Sequence, residues 1–153
     1  MTNNSNRCTT AATGKNGYAV MLAEDDEINR DIVRCFLDDL DDLDMTEAPD
    51  GREALSLCLT RRFDLLILDL RLPIIGGDRI ARHLRSSVNQ NATTPIILSS
   101  AMSLDELGPL LKNCPYDRLL PKPFSRDGLL FAVMAELGIA APQSPDSQPD
   151  IEN

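Results

Sequence analysis

The chain is 153 residues long, carries a formal net charge of −9, and is 42% hydrophobic and 25% charged. That leaves room for one ordinary domain with a real core, and the acidic balance speaks against a nucleic-acid surface, which needs clustered Lys and Arg. No charged-then-apolar leader opens the sequence and no apolar run approaches bilayer length, so a reduced, cytoplasmic protein without membrane insertion is expected.

Residues 1–17 are polar, rich in Asn and Thr and without periodicity, and read as a disordered tail. The first strand, 18–23 (YAVMLA), is apolar without in–out alternation, as a parallel strand covered on both faces should be. A helix follows in which Ile28, Ile32, Val33, Phe36, Leu37 and Leu40 form one stripe, with Asp31, Arg34 and Asp38 off it. Asp26 and Glu27 suit its N-terminus. A second strand, 44–48, leads to a helix over 51–61. The third strand, 64–69, runs straight into a carboxylate, Asp69, and then a turn with Pro73, Gly76 and Gly77. A helix over 77–88 and a strand over 95–99 (PIILS) come next.

The fourth helix, 103–112, can open with a capping box of Ser103 and Glu106, but Gly108 and Pro109 interrupt it. Its Leu104, Leu107, Leu110 and Leu111 are assigned to the core in preference to a partner surface, with one or two of them open to exposure. A short strand, 117–120, and a helix capped by Ser125 end the pattern, the helix burying Leu129, Leu130, Val133, Met134 and Leu137. Residues 139–153, rich in Pro, Ser and Asp, read as a second disordered tail. Four cysteines, Cys8, Cys35, Cys58 and Cys114, show no metal spacing, and Cys35 and Cys58 are placed on core faces of helices as inert thiols.

Five β-α units over 18–138 imply one α/β domain: a doubly wound, five-stranded parallel sheet with right-handed crossovers. In such a sheet ligands sit beyond the carboxyl ends of the strands. Glu24 and Asp25 leave strand one there, Asp69 leaves strand three, Ser100 strand four and Lys122 strand five. Taken singly, each has an ordinary explanation as a cap, turn residue or solvated lysine. Taken together, three acids in one pocket would repel one another and raise their pKa values unless a cation held them. Hard oxygen ligands suit Mg²⁺. Asp69 can act as a nucleophile, with the metal, Lys122 and Ser100 stabilising phosphoryl oxygens.

These residues resemble the receiver domain of two-component response regulators, of the CheY-like fold. The acidic pair matches "EDD" at Glu24 and Asp25, and the Asp-x-x-x-Pro-x-x-x-Gly pattern matches "DLRLPIIGG", Asp69 to Gly77. Ser100 with the small Ala101, and Lys122 with Pro123, complete the set. The resemblance implies that Asp69 takes a phosphoryl group from a sensor histidine kinase or histidine phosphotransfer protein in a Mg²⁺-dependent reaction. It implies metal contacts from Glu24, Asp25, Asp69 and the Arg71 backbone carbonyl, and a cis Lys122–Pro123 bond. It also implies a signalling domain, not an enzyme, which promotes only its own phosphorylation and dephosphorylation.

Arg71 and Met102 occupy the positions that tune acyl-phosphate hydrolysis in that family, and slow hydrolysis is the expectation. The family's aromatic switch position is Leu119 here, with Tyr116 nearby, so output through the helix 4–strand 5–helix 5 surface to an unnamed downstream protein is less determined than the chemistry. A receiver that binds partners without phosphorylation is the alternative reading. A haloacid-dehalogenase-like phosphatase lacks its second Asp, since Arg71 stands there, and a flavin carrier would meet repulsion from "EDDE". His83, the single histidine, is taken as an ordinary surface or half-buried residue. Met1 and the two tails favour a stand-alone regulator over a piece of a hybrid kinase.

Overall fold

The computed structural model describes residues 17–140, so 1–16 and 141–153, nearly all of the two expected tails, lie outside the described residues. Ten elements alternate: β1 (Tyr18–Ala23), α1 (Glu27–Leu37), β2 (Leu43–Ala48), α2 (Gly51–Thr60), β3 (Leu65–Asp69), α3 (Gly77–Ser86), β4 (Ile96–Ser100), α4 (Leu104–Leu111), β5 (Arg118–Pro121) and α5 (Arg126–Leu137). All strands pair parallel, in the order β2-β1-β3-β4-β5. This is the five-stranded, doubly wound sheet expected from the sequence.

The central strands explain why their sequences do not alternate. Met21, Leu66, Leu68, Ile96 and Leu98 pack on one face with α2, α3 and Leu107 of α4. Val20, Leu22, Leu65, Ile67 and Ile97 pack on the other with α1 and α5. Neighbouring residues of one strand point to opposite faces, and both faces are covered, so the positions ahead of the carboxyl ends are apolar on both. Asp26, Asp50, Ser103 and Ser125 each cap their helices by accepting a backbone N–H of the first turn. The Ser103–Glu106 capping box forms, and the Lys122–Pro123 bond is cis.

Several expectations need correction. Cys58 is buried, and burial lifts its thiol to about 12, but Cys35 is exposed, because it lies beside the packed stripe of α1 and not on it. Ile28, read as part of that stripe, is 70% exposed at the first turn, ahead of the point where α1 meets the sheet. α4 continues through Gly108 and Pro109 without a break. Its leucines divide within the range the sequence left open: Leu107 is buried, while two, Leu104 at 79% and Leu110, are exposed. A further tie on α4 comes from Arg82, which bridges the Asp78 carboxylate at 2.6 Å and the Leu110 carbonyl at 3.0 Å.

At the edge of the sheet away from the carboxyl ends, one amide fastens three segments. Asn91 is fully buried; its Oδ1 accepts from the Phe63 N–H (2.8 Å) and the Thr94 hydroxyl (3.0 Å). Its Nδ2 donates to the carbonyls of Cys58 (2.6 Å) and Arg61 (2.7 Å). Removing the amide strands buried donors and acceptors, each costing about 1–3 kcal/mol. Asn91→Ala should therefore lower stability by about 3 kcal/mol, read as a shift of the urea midpoint with an unchanged slope. A shift within error would contradict this account of the network.

Candidate functional site

Strand order reverses between β1 and β3, and the site lies at that reversal. The register sets it up: Ala23 pairs with Leu68, so Glu24 emerges level with Asp69. Asp69 in turn pairs with Ser99, and Ser100 with Pro121, so Ser100 and Lys122 follow at neighbouring heights. Glu24, Asp69 and Lys122 have the parity of Leu22, Ile67 and Leu120, which all face α1 and α5. They therefore project to the same side. Ser100 has the parity of Leu98 and reaches the cleft from the other face.

The five sequence-derived side chains do come together, in unequal surroundings. Glu24 is 1% exposed and Asp69 6%. The Lys122 ammonium lies between them, 2.5 Å from Glu24 Oε2 and 2.9 Å from Asp69 Oδ2. Burial raises the Glu24 carboxyl above its ordinary value, and nearby Asp69 adds to this, while Lys122 and the Asp26 N–H oppose it. Burial disfavours the Lys122 charge, but its hydrogen bonds to Asp69 and Glu24 outweigh that and hold it above the usual lysine value. Asp25, by contrast, is exposed. Ser100 Oγ accepts the Met102 N–H at 3.0 Å.

A cleft of about 430 Å³ opens over these groups, lined by Asp25, Asp69, Arg71, Met102, Glu106 and Lys122 among others. The turn after Asp69 folds back, so that the Arg71 N–H donates to Asp69 Oδ1 at 3.1 Å. Gly77 is required here: a Cβ would sit 2.5 Å from the Asp69 carbonyl oxygen. Gly51 is a requirement the sequence reading missed. Its N–H donates to Pro73 O at 3.0 Å, and a Cβ would lie 1.7 Å from Ile75 O. Glu106, read only as a capping acid, also lines the cleft. Neither was visible locally, because each depends on a segment distant in sequence.

One carboxylate oxygen each from Glu24, Asp25 and Asp69 lie within 4.8 Å of one another. An Mg²⁺ ion with oxygens at about 2 Å needs adjacent ligand atoms about 3 Å apart and opposite ones about 4 Å apart. The donor set therefore fits that ion with small adjustments, and Lys122 already shows that the pocket accepts a cation. Leu119 and Tyr116 lie away from the cleft, lining a separate groove of about 280 Å³ beneath α4. His83 is exposed on α3.

Removing Lys122 leaves two buried carboxylates without their cation. A carboxyl whose folded pKa is raised contributes stability below its unfolded pKa and loses it as pH rises through the folded one. Lys122→Ala should thus match wild type near about pH 4 and fall progressively behind toward about pH 8 in thermal melts. Added Mg²⁺ should narrow the gap at the high-pH end. A gap independent of pH would contradict the assignment.

A family model described as the response regulator receiver domain matches residues 20–134. The sensor histidine kinase TmoS of Ectopseudomonas mendocina is 39% identical over 109 residues, 69% of this chain and 11% of TmoS. AruS, a sensor histidine kinase of Pseudomonas aeruginosa, is 30% identical over 135 residues, 88% of this chain and 13% of AruS. The chain thus spans only a small part of these relatives. Among solved structures, the receiver domain of sensor histidine kinase PA1611 from P. aeruginosa PAO1 superposes with a TM-score of 0.72 at 27% identity. The match covers 80% of this chain and 98% of that one, which holds a magnesium ion in its active site cleft. Vibrio cholerae CheY4 gives 0.71 at 28% identity over 79% and 99% of the two chains. Fold and sequence pattern therefore point the same way: the chain belongs to the response regulator receiver domain family of two-component signalling.

Proposed function

We propose that this receiver accepts a phosphoryl group on Asp69 and uses it to switch partner binding. The convergence of Glu24, Asp25, Asp69, Ser100 and Lys122 at the β1/β3 reversal carries the reading. The donor is a sensor histidine kinase or a histidine phosphotransfer protein. An Asp69 carboxylate oxygen attacks phosphorus, the O–P bond forms, and the N–P bond of the phosphohistidine breaks, releasing imidazole. Lys122, already 2.9 Å from Asp69, neutralises phosphoryl oxygens. Ser100 exchanges its bond from the Met102 N–H for one to the phosphoryl group. Glu24, Asp25 and Asp69 would hold Mg²⁺, with the Arg71 carbonyl as a further ligand, and the ion would supply positive charge to offset that on the transferring group.

Exposed apolar side chains on segments that follow the site residues support docking of such a donor: Ile28 at the start of α1, Ile74 in the β3–α3 turn and Leu104 at the start of α4. Ile74 is held there with φ of 74°, in a turn closed by the Ile75 N–H to Pro73 O. For the downstream protein, the α4–β5–α5 surface offers Leu104, Leu110 and Phe131. Among the described residues no helix is long and apolar enough to cross a membrane, and a cytoplasmic setting suits a kinase-fed receiver. Leu119 at the switch position keeps a second reading open, a receiver that binds without phosphorylation.

Labelling with acetyl phosphate separates the two. Wild type should take label only with Mg²⁺, Asp69→Asn should take none, and pull-downs with the two forms should recover different partners. No labelling, together with identical pull-downs, would support the constitutive binder. Arg71 beside the phosphoryl group and the apolar Met102 should hinder an attacking water. Purified phosphoprotein should then lose label slowly, and Arg71→Ala should speed the loss. Rapid loss unaffected by Arg71→Ala would remove both residues from this role.

A further inference from the structure

Glu106 does two things at once. It completes the capping box: the Ser103 N–H and hydroxyl both donate to its Oε2, each at 2.9 Å. It also lines the cleft that holds Asp69 and Lys122, as does Arg71. Its carboxyl is held below the ordinary value, chiefly by the Ser103 N–H, and the Arg71 guanidinium contributes. Arg71 itself is anchored at its main chain, through the N–H to Asp69 Oδ1 at 3.1 Å. Its side chain is exposed, and among the described residues no close hydrogen bond fixes the guanidinium.

We propose that Glu106 is a positioning residue for Arg71: across the cleft that both line, and without a direct ion pair, its charge draws the guanidinium toward α4 until a phosphoryl group on Asp69 takes it over. The proposal rests on Asp69 being the phosphoryl acceptor. Phosphorylation adds negative charge next to the anchored Arg71 main chain, so the guanidinium has a stronger and nearer partner. Glu106 then loses its counter-charge and faces a new anion. The change falls on the first turn of α4, the helix least tied to the core. Leu107 is its one fully buried residue, and Pro109 lacks the N–H that would bond the Asp105 carbonyl. A charge-borne route to α4 thus exists in a chain with Leu119 where a ring would otherwise sit.

The test is the lifetime of label after acetyl phosphate is removed. In that loss water attacks phosphorus, the Asp69 O–P bond breaks, and inorganic phosphate leaves a free carboxylate behind. Glu106→Gln keeps a capping-box residue and removes the charge. It frees Arg71 for the phosphoryl group, so label should persist about two- to fivefold longer, the range of an exposed charge pair. The gain should shrink at roughly 1 M salt, where the screening length is about 3 Å. In an Arg71→Ala background, Glu106→Gln should change nothing. An equal change in both backgrounds, or none in either, overturns the proposal while leaving Asp69 as acceptor. Absence of label on wild type, or equal label on Asp69→Asn, removes the acceptor itself and the proposal with it.

Discussion

Everything at the carboxyl edge of this sheet depends on one ammonium group. Glu24 and Asp69 are nearly out of water and level with each other on adjacent strands, and their charges oppose folding unless a cation sits between them. Lys122 supplies it, from a position 98 residues beyond Glu24 in the chain. The same arrangement keeps the Asp69 carboxylate aimed at the cleft with one oxygen on Lys122 and the other on the Arg71 N–H. Structural need and proposed chemistry therefore share one pair of contacts. A group that balances charge in the resting site is already in place to balance a phosphoryl group.

Around that centre the molecule divides into firm and loose parts. β1, β3 and β4 are apolar on both faces, and Asn91 and Arg85 lock the opposite edge, Arg85 donating to the Thr94 carbonyl at 2.7 Å and to Asn91 and Ala92. The β3–α3 turn is held by close backbone approach at Gly51 and Gly77. α4 is different: its capping box defines its start, but little of it is buried. Elements that move in signalling come from the low-stability end of a fold. The placing of Glu106 at the junction of cleft and α4 gives that looseness a direction.

Much of this was legible in the sequence, for physical reasons. Unbroken apolar runs marked buried parallel strands, and Asp26, Ser103 and Ser125 announced helix starts through their capping chemistry. Strand ends then told where chemistry would gather, and the residues predicted there do converge. What stayed hidden needed contacts between distant segments. Periodicity put Cys35 and Ile28 too near the core, because it reports that a helix is amphipathic but not how far its ends run past the sheet. The demands on Gly51 and Asn91, and the second duty of Glu106, come from distant segments, Pro73 and Ile75 for the first, Cys58, Arg61 and Phe63 for the second and Arg71 for the third, which no local pattern records.

The central claim is that Asp69 itself forms the acyl phosphate. Borohydride reduction of an aspartyl phosphate leaves homoserine, which marks the residue permanently. Protein incubated with acetyl phosphate and Mg²⁺, then reduced and digested with trypsin, should show homoserine at position 69 in the fragment covering residues 63–71. Omitting Mg²⁺ should abolish it. Homoserine at another aspartate, or none anywhere under labelling conditions, would contradict the account.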